Sequence, residues 1–454
     1  MSGLKKHVLR VNSGQIDAAS YVNDAVKRCE EINKEYGYFN TICTDAGFSK
    51  KGKLAGVLVS VKDNICVKGV ESTAGSRMLK GYRPLFDATA VGRLKSEGAV
   101  ILGKTSCDAF GFGSFNTNVG IGFDVPKNPF DKKRATGGSS GGGAGITAKA
   151  DFVHVAIVES TGGSIENPAS FCGVVGFCPT YGRVSRNGLI SYANSLDKIG
   201  IMTKSVADIA PVLEVISGFD PRDATSLQGE IDLDYRGDLR VGIVGQSASV
   251  DPLVSRCVQR AAARFGADEV SMPLADKFGI AAYYIISTCE ASTNLACLSG
   301  LRYGQDGEMK GRSFSDYFSD VRSRNFNEES KRRIMLGTFA RMAGHRDAYY
   351  IKASKIRTLI IEEYRKLFET YDILISPTMP DVAPRFSDIE KMTPLENYMM
   401  DVFTVGPNLA GIPHASIPVG MKKGMPVGMM AMANHNEEGK LLKFLSSVEN
   451  EVCI

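Results

Sequence analysis

Tryptophan is absent from the 454 residues, and histidine occurs only five times. A histidine-based catalytic triad would therefore have to use His7, His154, His345, His414 or His435, none of which lies in a glycine- or serine-rich turn. No apolar run reaches the roughly 18 residues that a transmembrane helix needs. The basic N-terminus is followed by no apolar secretory core, so we expect a cytoplasmic protein.

A strong excess of charge is also missing. The chain has 54 Lys and Arg against 50 Asp and Glu, which gives a net charge of +4. This balance, with no aromatic–basic RNA motif, argues against direct RNA binding as the main function. The ten cysteines include no pair with the spacing of a zinc knuckle or a redox motif. We therefore expect reduced thiols, no metal and no cofactor in this chain.

Apolar segments of strand length alternate with helical patterns. Buried strands are predicted at 54–62 and 152–158, and again in LRVGIVG and YDILISP, with two short strands near the C-terminus. Long helical patterns cover 278–300 and 331–369, and a further helix is predicted at 394–409. Such alternation predicts an α/β fold in which helices cover both faces of a central sheet.

The domain organisation is predicted to be simple. Residues 1–50 have helical apolar spacing and should form an N-terminal arm of two helices, for packing or for binding a partner. Residues 51–454 contain no repeat, low-complexity linker or clear break, which favours one large domain.

One motif is misleading. Residues 98–105, GAVILGKT, match the pattern of a phosphate-binding P-loop. The four intervening residues are apolar and favour a strand, whereas a P-loop needs a turn that cradles an anion. Gly98 is better explained as the glycine that ends a preceding helix.

Two glycine-rich turns carry serines that could act as nucleophiles. Ser164 follows Gly162 and Gly163 in STGGSI and precedes a predicted helix, where backbone amides can stabilise an oxyanion. Ser139 lies in GGSSGGGAG, a segment that reads as a loop able to approach another backbone closely. Each serine alone could be structural, Ser164 as a helix cap and Ser139 as part of a flexible loop.

A lysine offers the means of activation. Lys62 ends the predicted strand GVLVSVK and precedes Asp63 and Asn64. A lysine removed from water loses its proton more easily and can act as a base. The simpler alternative is a surface lysine at the end of a strand.

Together, GVLVSVKDN, GGSSGGGAG and TGGSIENPASFCGVVGFCPTYGRVS resemble the amidase signature family in order and spacing. The resemblance implies an α/β fold with a central mixed sheet and a triad of Ser164 as nucleophile, Ser139 as bridge and neutral Lys62 as base. It assigns the oxyanion hole to the amides of Thr161, Gly162, Gly163 and Ser164.

The sequence departs from the family pattern at three points. Ser160, preceded by Glu159, stands where the family usually has Asp, and Glu166 stands where it usually has Arg. The interval between the two serines is also one residue longer than usual, which we assign to an insertion near 150–156.

Longer stretches, including RRIMLGTFARMAGHRDAYYIKASKIRTLI and GPNLAGIPHASIPVG, resemble a branch of that family, the A subunits of tRNA-dependent amidotransferases. The resemblance implies a glutaminase whose ammonia passes to a B subunit, which amidates glutamate or aspartate mischarged on tRNA. A small C subunit would complete the complex. ATP and Mg²⁺ would bind the B subunit, and tRNA would be contacted through it.

The resemblance also implies a pocket for free glutamine. Arg333 would hold the substrate carboxylate and Asp401 its ammonium, with Tyr283 alongside and Arg332 as the substitute for Arg333. A stand-alone amidase for small or aryl amides is the main alternative, although an apolar amide would leave both charges unpaired. A catalytically silent scaffold is a third possibility, against which the intact set of Lys62, Ser139 and Ser164 argues.

Overall fold

The computed structural model describes residues 3–44, 51–245 and 250–452. The N-terminal segment forms two helices, α1 (Gly3–Asn12) and α2 (Ala18–Tyr36), followed by strand β1 (Phe39–Ile42). The Asp17 side chain accepts from the amide of Ser20 and caps the start of α2, and Gly37 ends it in the left-handed conformation. Because β1 joins the central sheet beside β3, this segment contributes an edge strand as well as an arm.

The centre of the molecule is a mixed sheet of eleven strands in the order β1-β3-β2-β4-β6-β5-β10-β11-β9-β7-β8. Every residue of β2, β4 and β11 is buried. Since successive residues of a strand face opposite sides, both faces of the sheet are covered there. After β1, the strands are β2 (Leu58–Lys62), β3 (Val100–Thr105), β4 (His154–Ser160), β5 (Val175–Cys178), β6 (Lys198–Thr203), β7 (Val241–Val244), β8 (Asp268–Val270), β9 (Ile373–Pro377), β10 (His414–Lys422) and β11 (Met425–Ala433).

Helices complete the α/β fold that the sequence predicts. The remaining helices are α3 (Thr89–Ser96), α4 (Gly141–Lys149), α5 (Glu166–Cys172), α6 (Ile209–Ile216), α7 (Pro252–Arg264), α8 (Pro273–Asn294), α9 (Phe314–Asn325), α10 (Glu328–Arg341), α11 (Lys352–Phe368), α12 (Phe386–Ile389), α13 (Pro394–Met399), α14 (Val405–Ala410) and α15 (Glu438–Glu451).

Three segments differ in detail from the sequence prediction. The glycine-rich stretch is a loop only up to Ser140, after which α4 begins. Its glycines allow close packing, since a Cβ at Gly145 would lie 2.1 Å from the Tyr38 ring. The helical pattern over 331–369 is divided between α10 and α11, and that over 394–409 between α13 and α14.

The interpretation of residues 98–105 as a strand rather than a P-loop is confirmed. The supposed P-loop contains β3, and Gly98 has a positive φ just after α3. The described cysteines are all free, and most are buried. Among the described residues, no helix is long and apolar enough to cross a membrane.

Strand order determines where the predicted active site lies. The parallel strands β2 and β4 are neighbours, and β4 pairs with the antiparallel β6. The C-terminal ends of β2 and β4 therefore lie beside the N-terminal end of β6, in the interior of the sheet. Lys62, Ser160 and Lys198 are the residues at these three strand ends.

Candidate active site

Lys62 lies fully buried at the end of β2. Its Nζ lies within hydrogen-bond distance of Ser139 Oγ, at 2.8 Å, and donates to the main-chain oxygen of Glu159 at 2.9 Å. A third contact, also of 2.9 Å, joins Nζ to the Glu159 carboxylate. Ser139 follows a cis peptide bond from Gly138 and lies just before α4. The structure thus brings together two of the three predicted catalytic side chains.

Ser164 lies in the tight turn that joins β4 to α5. Gly163 has a φ of +143°, which favours glycine, and a Cβ there would be 2.2 Å from Thr404 Oγ1. The same Thr404 hydroxyl donates to the carbonyl of Gly162 at 2.7 Å and fixes the turn. Gly163 is therefore required by the close approach of Thr404, the N-cap of α14, and the turn carries Ser164 to the wall of a pocket.

The pocket beside Ser164 is formed by widely separated parts of the chain. It contains all three residues predicted to bind substrate. Its lining consists of Gly111, Gly113, Ser114, Gly138, Gly162, Gly163, Ser164, Tyr283, Tyr284, Arg333 and Asp401.

The residues predicted to form the oxyanion hole differ in whether they line the pocket. Gly162 and Gly163 line the pocket, whereas Thr161 does not. The Gly163 amide donates to Ser160 Oγ at 3.1 Å. The Thr161 hydroxyl lies within hydrogen-bond distance of the carboxylates of Glu159 and Asp197. The role of these amides in binding an oxyanion stays a prediction.

Arg333 reaches the pocket from α10. Its Nε donates to Glu329 at 2.8 Å, and its Nη1 donates to the hydroxyl of Tyr192 at 2.5 Å. Its guanidinium also lies over four aromatic rings, at 5.1 to 5.9 Å from the centroids of Phe112, Tyr192, Tyr284 and Tyr398. Arg332 pairs with the other oxygen of Glu329 and does not line the pocket.

Asp401 provides the opposite charge in the same pocket. Its Oδ2 accepts from Ser114 Oγ at 2.9 Å and from the Tyr284 hydroxyl at 2.7 Å. Burial raises the pKa of Asp401 to about 6. Tyr283, which is also buried, completes this wall. The pocket therefore offers one cation and one anion close to Ser164.

The positions where the sequence departs from the family pattern are joined to one another. Ser160 Oγ donates to Glu166 Oε2 at 3.2 Å, and Glu166 Oε1 lies 3.1 Å from His414 Nε2. Glu166, Cys178 and His414 together place three potential metal ligands within 4.8 Å. Lys198 interacts electrostatically with both Cys178 and Glu166, and burial lowers the pKa of Lys198.

Several polar residues of the site were missed by sequence reasoning. Tyr192, Ser114 and Tyr284 come from separate segments, and no local pattern relates them to Ser164. Glu159 could have been identified from the sequence, because it is a charged residue that directly follows the apolar run FVHVAIV. A carboxylate in a buried strand requires a partner. That partner is Lys62.

Comparison with known proteins agrees with this geometry. A family model described as Amidase matches residues 21–442. The chain is 46% identical over 436 residues to the A subunit of glutamyl-tRNA(Gln) amidotransferase from Archaeoglobus fulgidus, with 93% of each chain covered.

Two further matches extend the comparison. Identity to the corresponding protein of Halothermothrix orenii is 41% over 465 residues, covering 98% of this chain and 96% of that one. The crystal structure of the Thermotoga maritima counterpart matches with a TM-score of 0.80 and 33% identity, covering 95% of this chain and 92% of that one. The chain therefore belongs to the amidase family.

Proposed function

We propose that this chain is the glutaminase component, the A subunit, of a tRNA-dependent amidotransferase. The observation that carries the proposal is the combination of a 2.8 Å contact between Lys62 and Ser139 with a neighbouring pocket that contains Ser164, Arg333 and Asp401. The relatives named as A subunits of glutamyl-tRNA(Gln) amidotransferase support it over most of the chain.

The first chemical step forms a tetrahedral intermediate, which becomes an acyl-enzyme when ammonia leaves. Ser164 gives its hydroxyl proton to Ser139, and Ser139 gives its own proton to the neutral Nζ of Lys62. The Ser164 oxygen then bonds to the carbon of the side-chain amide of glutamine, and the carbonyl becomes an oxyanion. The amides of the Thr161–Ser164 turn would stabilise that charge.

The second step releases ammonia. The proton returns from Lys62 through Ser139 to the amide nitrogen, the carbon–nitrogen bond breaks, and NH₃ leaves. Water then attacks the ester carbonyl, gives a proton back along the same relay, and releases glutamate with Ser164 restored. Each proton that Lys62 takes up is returned, so the base is regenerated.

The charges in the pocket support a free amino acid as substrate. Glutamine carries a carboxylate, for which Arg333 is suited, and an ammonium, for which ionised Asp401 is suited. A stand-alone amidase for neutral amides is the alternative. Such a substrate carries no charged group for Arg333 or Asp401 to bind, so neither residue would contribute to its recognition.

The remaining parts of the reaction belong to other subunits. We infer that ammonia passes to a B subunit, which holds ATP and Mg²⁺ and amidates glutamate or aspartate on tRNA. A C subunit would complete the assembly, tRNA would bind through the B subunit, and the complex would work in the cytoplasm.

The test is a glutaminase assay of the full chain, alone and with its co-expressed partner subunits. Ammonia release from glutamine, with little release from propionamide, is the expected result. Preferential hydrolysis of a neutral or aryl amide would favour the stand-alone amidase. Release of ammonia from neither substrate in the assembled complex would contradict an enzymatic role.

A further inference from the structure

Glu159 has contacts that the proposed triad does not use. Its carboxylate is fully buried at the end of β4. Oε2 accepts from Lys62 Nζ at 2.9 Å and from Asn64 Nδ2 at 3.0 Å, while Oε1 lies 2.7 Å from Thr161 Oγ1. A buried carboxylate with this many polar partners is held in a single position.

The Thr161 hydroxyl connects Glu159 to a second buried carboxyl group. Thr161 Oγ1 lies 2.9 Å from Asp197 Oδ1 as well as 2.7 Å from Glu159 Oε1. The hydroxyl has one hydrogen and can donate to only one of them. The other contact is favourable only if that carboxyl group carries a proton of its own.

We assign this proton to Asp197, because Glu159 Oε2 contacts Lys62 Nζ, whereas the donors to Asp197 include the neutral backbone amides of Tyr192 and Ala193. Burial raises the pKa of Asp197 well above its ordinary value, and the negative charge of Glu159 raises it further. Protonated Asp197 then donates to Thr161, and Thr161 donates to Glu159. Glu159 remains ionised and faces Lys62.

The contacts around Lys62 suit a group that gains and loses a proton without moving. A neutral amine has two hydrogens, which it donates here to the main-chain oxygen and to Oε2 of Glu159. It accepts from Ser139 through its lone pair. After it takes the Ser139 proton, the ammonium donates to the same three oxygens. Only the direction of the hydrogen bond to Ser139 changes.

We propose that Glu159 is a positioning residue for the base, whose carboxylate stabilises the Lys62 ammonium formed when the proton arrives from Ser139. The Thr161–Asp197 arm fixes that carboxylate and keeps it ionised. Its part resembles that of the aspartate in a Ser-His-Asp triad, which stabilises the imidazolium without taking its proton. The inference rests on the proposed roles of Lys62, Ser139 and Ser164.

Other titratable groups face this pair and enter the test. Cys107 and Asp108, which follow β3, interact electrostatically with Lys62, and Cys178 on β5 interacts with Glu159. Burial raises the pKa of Asp108 to about 6 and that of both thiols well above their usual range. Asp108→Asn is therefore measured in parallel, so that the contribution of Asp108 to the pH profile is separated from the effect of Glu159→Gln.

The decisive variant is Glu159→Gln in the full chain with its partner subunits. The kcat for glutamine is expected to fall at least tenfold, with KM within about twofold, because the new ammonium is no longer compensated. The acidic limb of the pH–kcat profile should move at least about one unit lower, because Lys62 loses the charge that favours its protonated form.

Glu159→Asp keeps the negative charge, so its acidic limb should stay at the pH of the parent protein. A fall in kcat with an unmoved limb in Glu159→Gln would overturn the proposal.

Two further variants sharpen the comparison. Asp197→Asn replaces one neutral donor with another, so the acidic limb of its pH–kcat profile should not move. A shift equal to that of Glu159→Gln would overturn the assignment of the proton to Asp197. Glu438→Gln changes a buried glutamate that pairs with Arg183 elsewhere and should leave the profile unchanged.

The reference variant and the fallback keep the result interpretable. Ser164→Ala distinguishes a failure of the proposed function from a failure of this inference. Full activity of Ser164→Ala would contradict the proposed function itself. An inactive Ser164→Ala, together with an unmoved acidic limb in Glu159→Gln, would contradict only this inference. If Glu159→Gln does not fold, the isosteric pair Glu159→Asp and Glu159→Asn makes the same comparison, with a lower acidic limb expected in the Asn variant only. Equal limbs in that pair would overturn the proposal.

Discussion

The ring of Tyr283 lies directly against Gly162, so close that a Cβ on the glycine would come within 2.2 Å of the ring's Cζ. The contact joins α8 to the turn that carries Ser164. It explains why this turn contains a glycine at a position without a positive φ. Tyr283, which is predicted to bind substrate, and the turn that carries the proposed nucleophile are thus packed as one unit.

Gly162→Ala should therefore impair catalysis by displacing Tyr283 or the turn. Overpacking of this kind costs about 1–3 kcal/mol, and we expect a comparable loss of folding stability. Gly92→Ala is the matched control, because the nearest atom to its added Cβ is 4.0 Å away. That control should be neutral or slightly stabilising. Equal effects of the two variants on glutamine kcat/KM and on thermal unfolding would contradict the packing argument.

Ser164→Ala should abolish glutamine hydrolysis while leaving the fold intact. The side chain makes no hydrogen bond to the described residues, so its loss should hardly change stability. Removal of a serine nucleophile lowers kcat by at least about 10⁴-fold in comparable enzymes. Ammonia release and a thermal unfolding curve, measured on the same preparation, check both parts. Near-normal turnover by the folded variant would refute the assignment.

Lys62→Arg should not preserve activity, even though it keeps a positive charge. Arginine stays protonated and cannot take the Ser139 proton. Lys62→Ala provides the comparison, and both variants should lose turnover to a similar degree. Substantial hydrolysis by the Arg variant would mean that Lys62 acts only as a charge.

The sequence was most informative where one residue type has one physical consequence. Apolar runs identified the interior strands, and glycines beside serines identified both turns of the site. It was less informative where conformation depends on distant partners. The GGGAGITAK segment looks like a loop, yet it forms α4 because its glycines pack closely against Tyr38 and Val158.

The candidate site shows the same division. The positions of Lys62, Ser139 and Ser164 follow from motifs. The network around Glu159 does not, because Thr161 and Asp197 become neighbours only when β4 pairs with β6. Likewise, the aromatic cage around Arg333 is assembled from rings on four separate segments, which no spacing in the sequence relates.

The preference for glutamine over a neutral amide should depend on pH through Asp401. Its pKa of about 6 means that the carboxyl group is protonated, and unable to pair with an ammonium, as the pH falls through that value. The ratio of kcat/KM for glutamine to that for propionamide should therefore decrease below about pH 6. The ratio cancels any effect of pH on the chemical step, which both substrates share. Asp401→Asn should lower the ratio and make it independent of pH; a pH-dependent ratio in that variant would exclude Asp401 as the cause.

Specificity should also depend on Arg333. Arg333→Leu removes a charge-assisted contact to the substrate carboxylate, worth roughly 1.5–3 kcal/mol, and leaves that carboxylate unpaired. Propionamide has no carboxylate, so its hydrolysis should change much less, and the ratio of the two kcat/KM values should fall tenfold or more.

The surroundings of Arg333 decide the controls for that experiment. Its loss also removes one of the two arginine partners of the Glu329 carboxylate and one hydrogen bond of the Tyr192 hydroxyl, so some destabilisation is expected, and it affects both substrates alike. Arg332→Leu is the matched control, because Arg332 pairs with the same glutamate outside the pocket. Its substrate ratio should stay at the parent value. If Arg333→Leu lowers both rates equally, Arg333 is structural, and the preference for glutamine must come from other groups in the pocket.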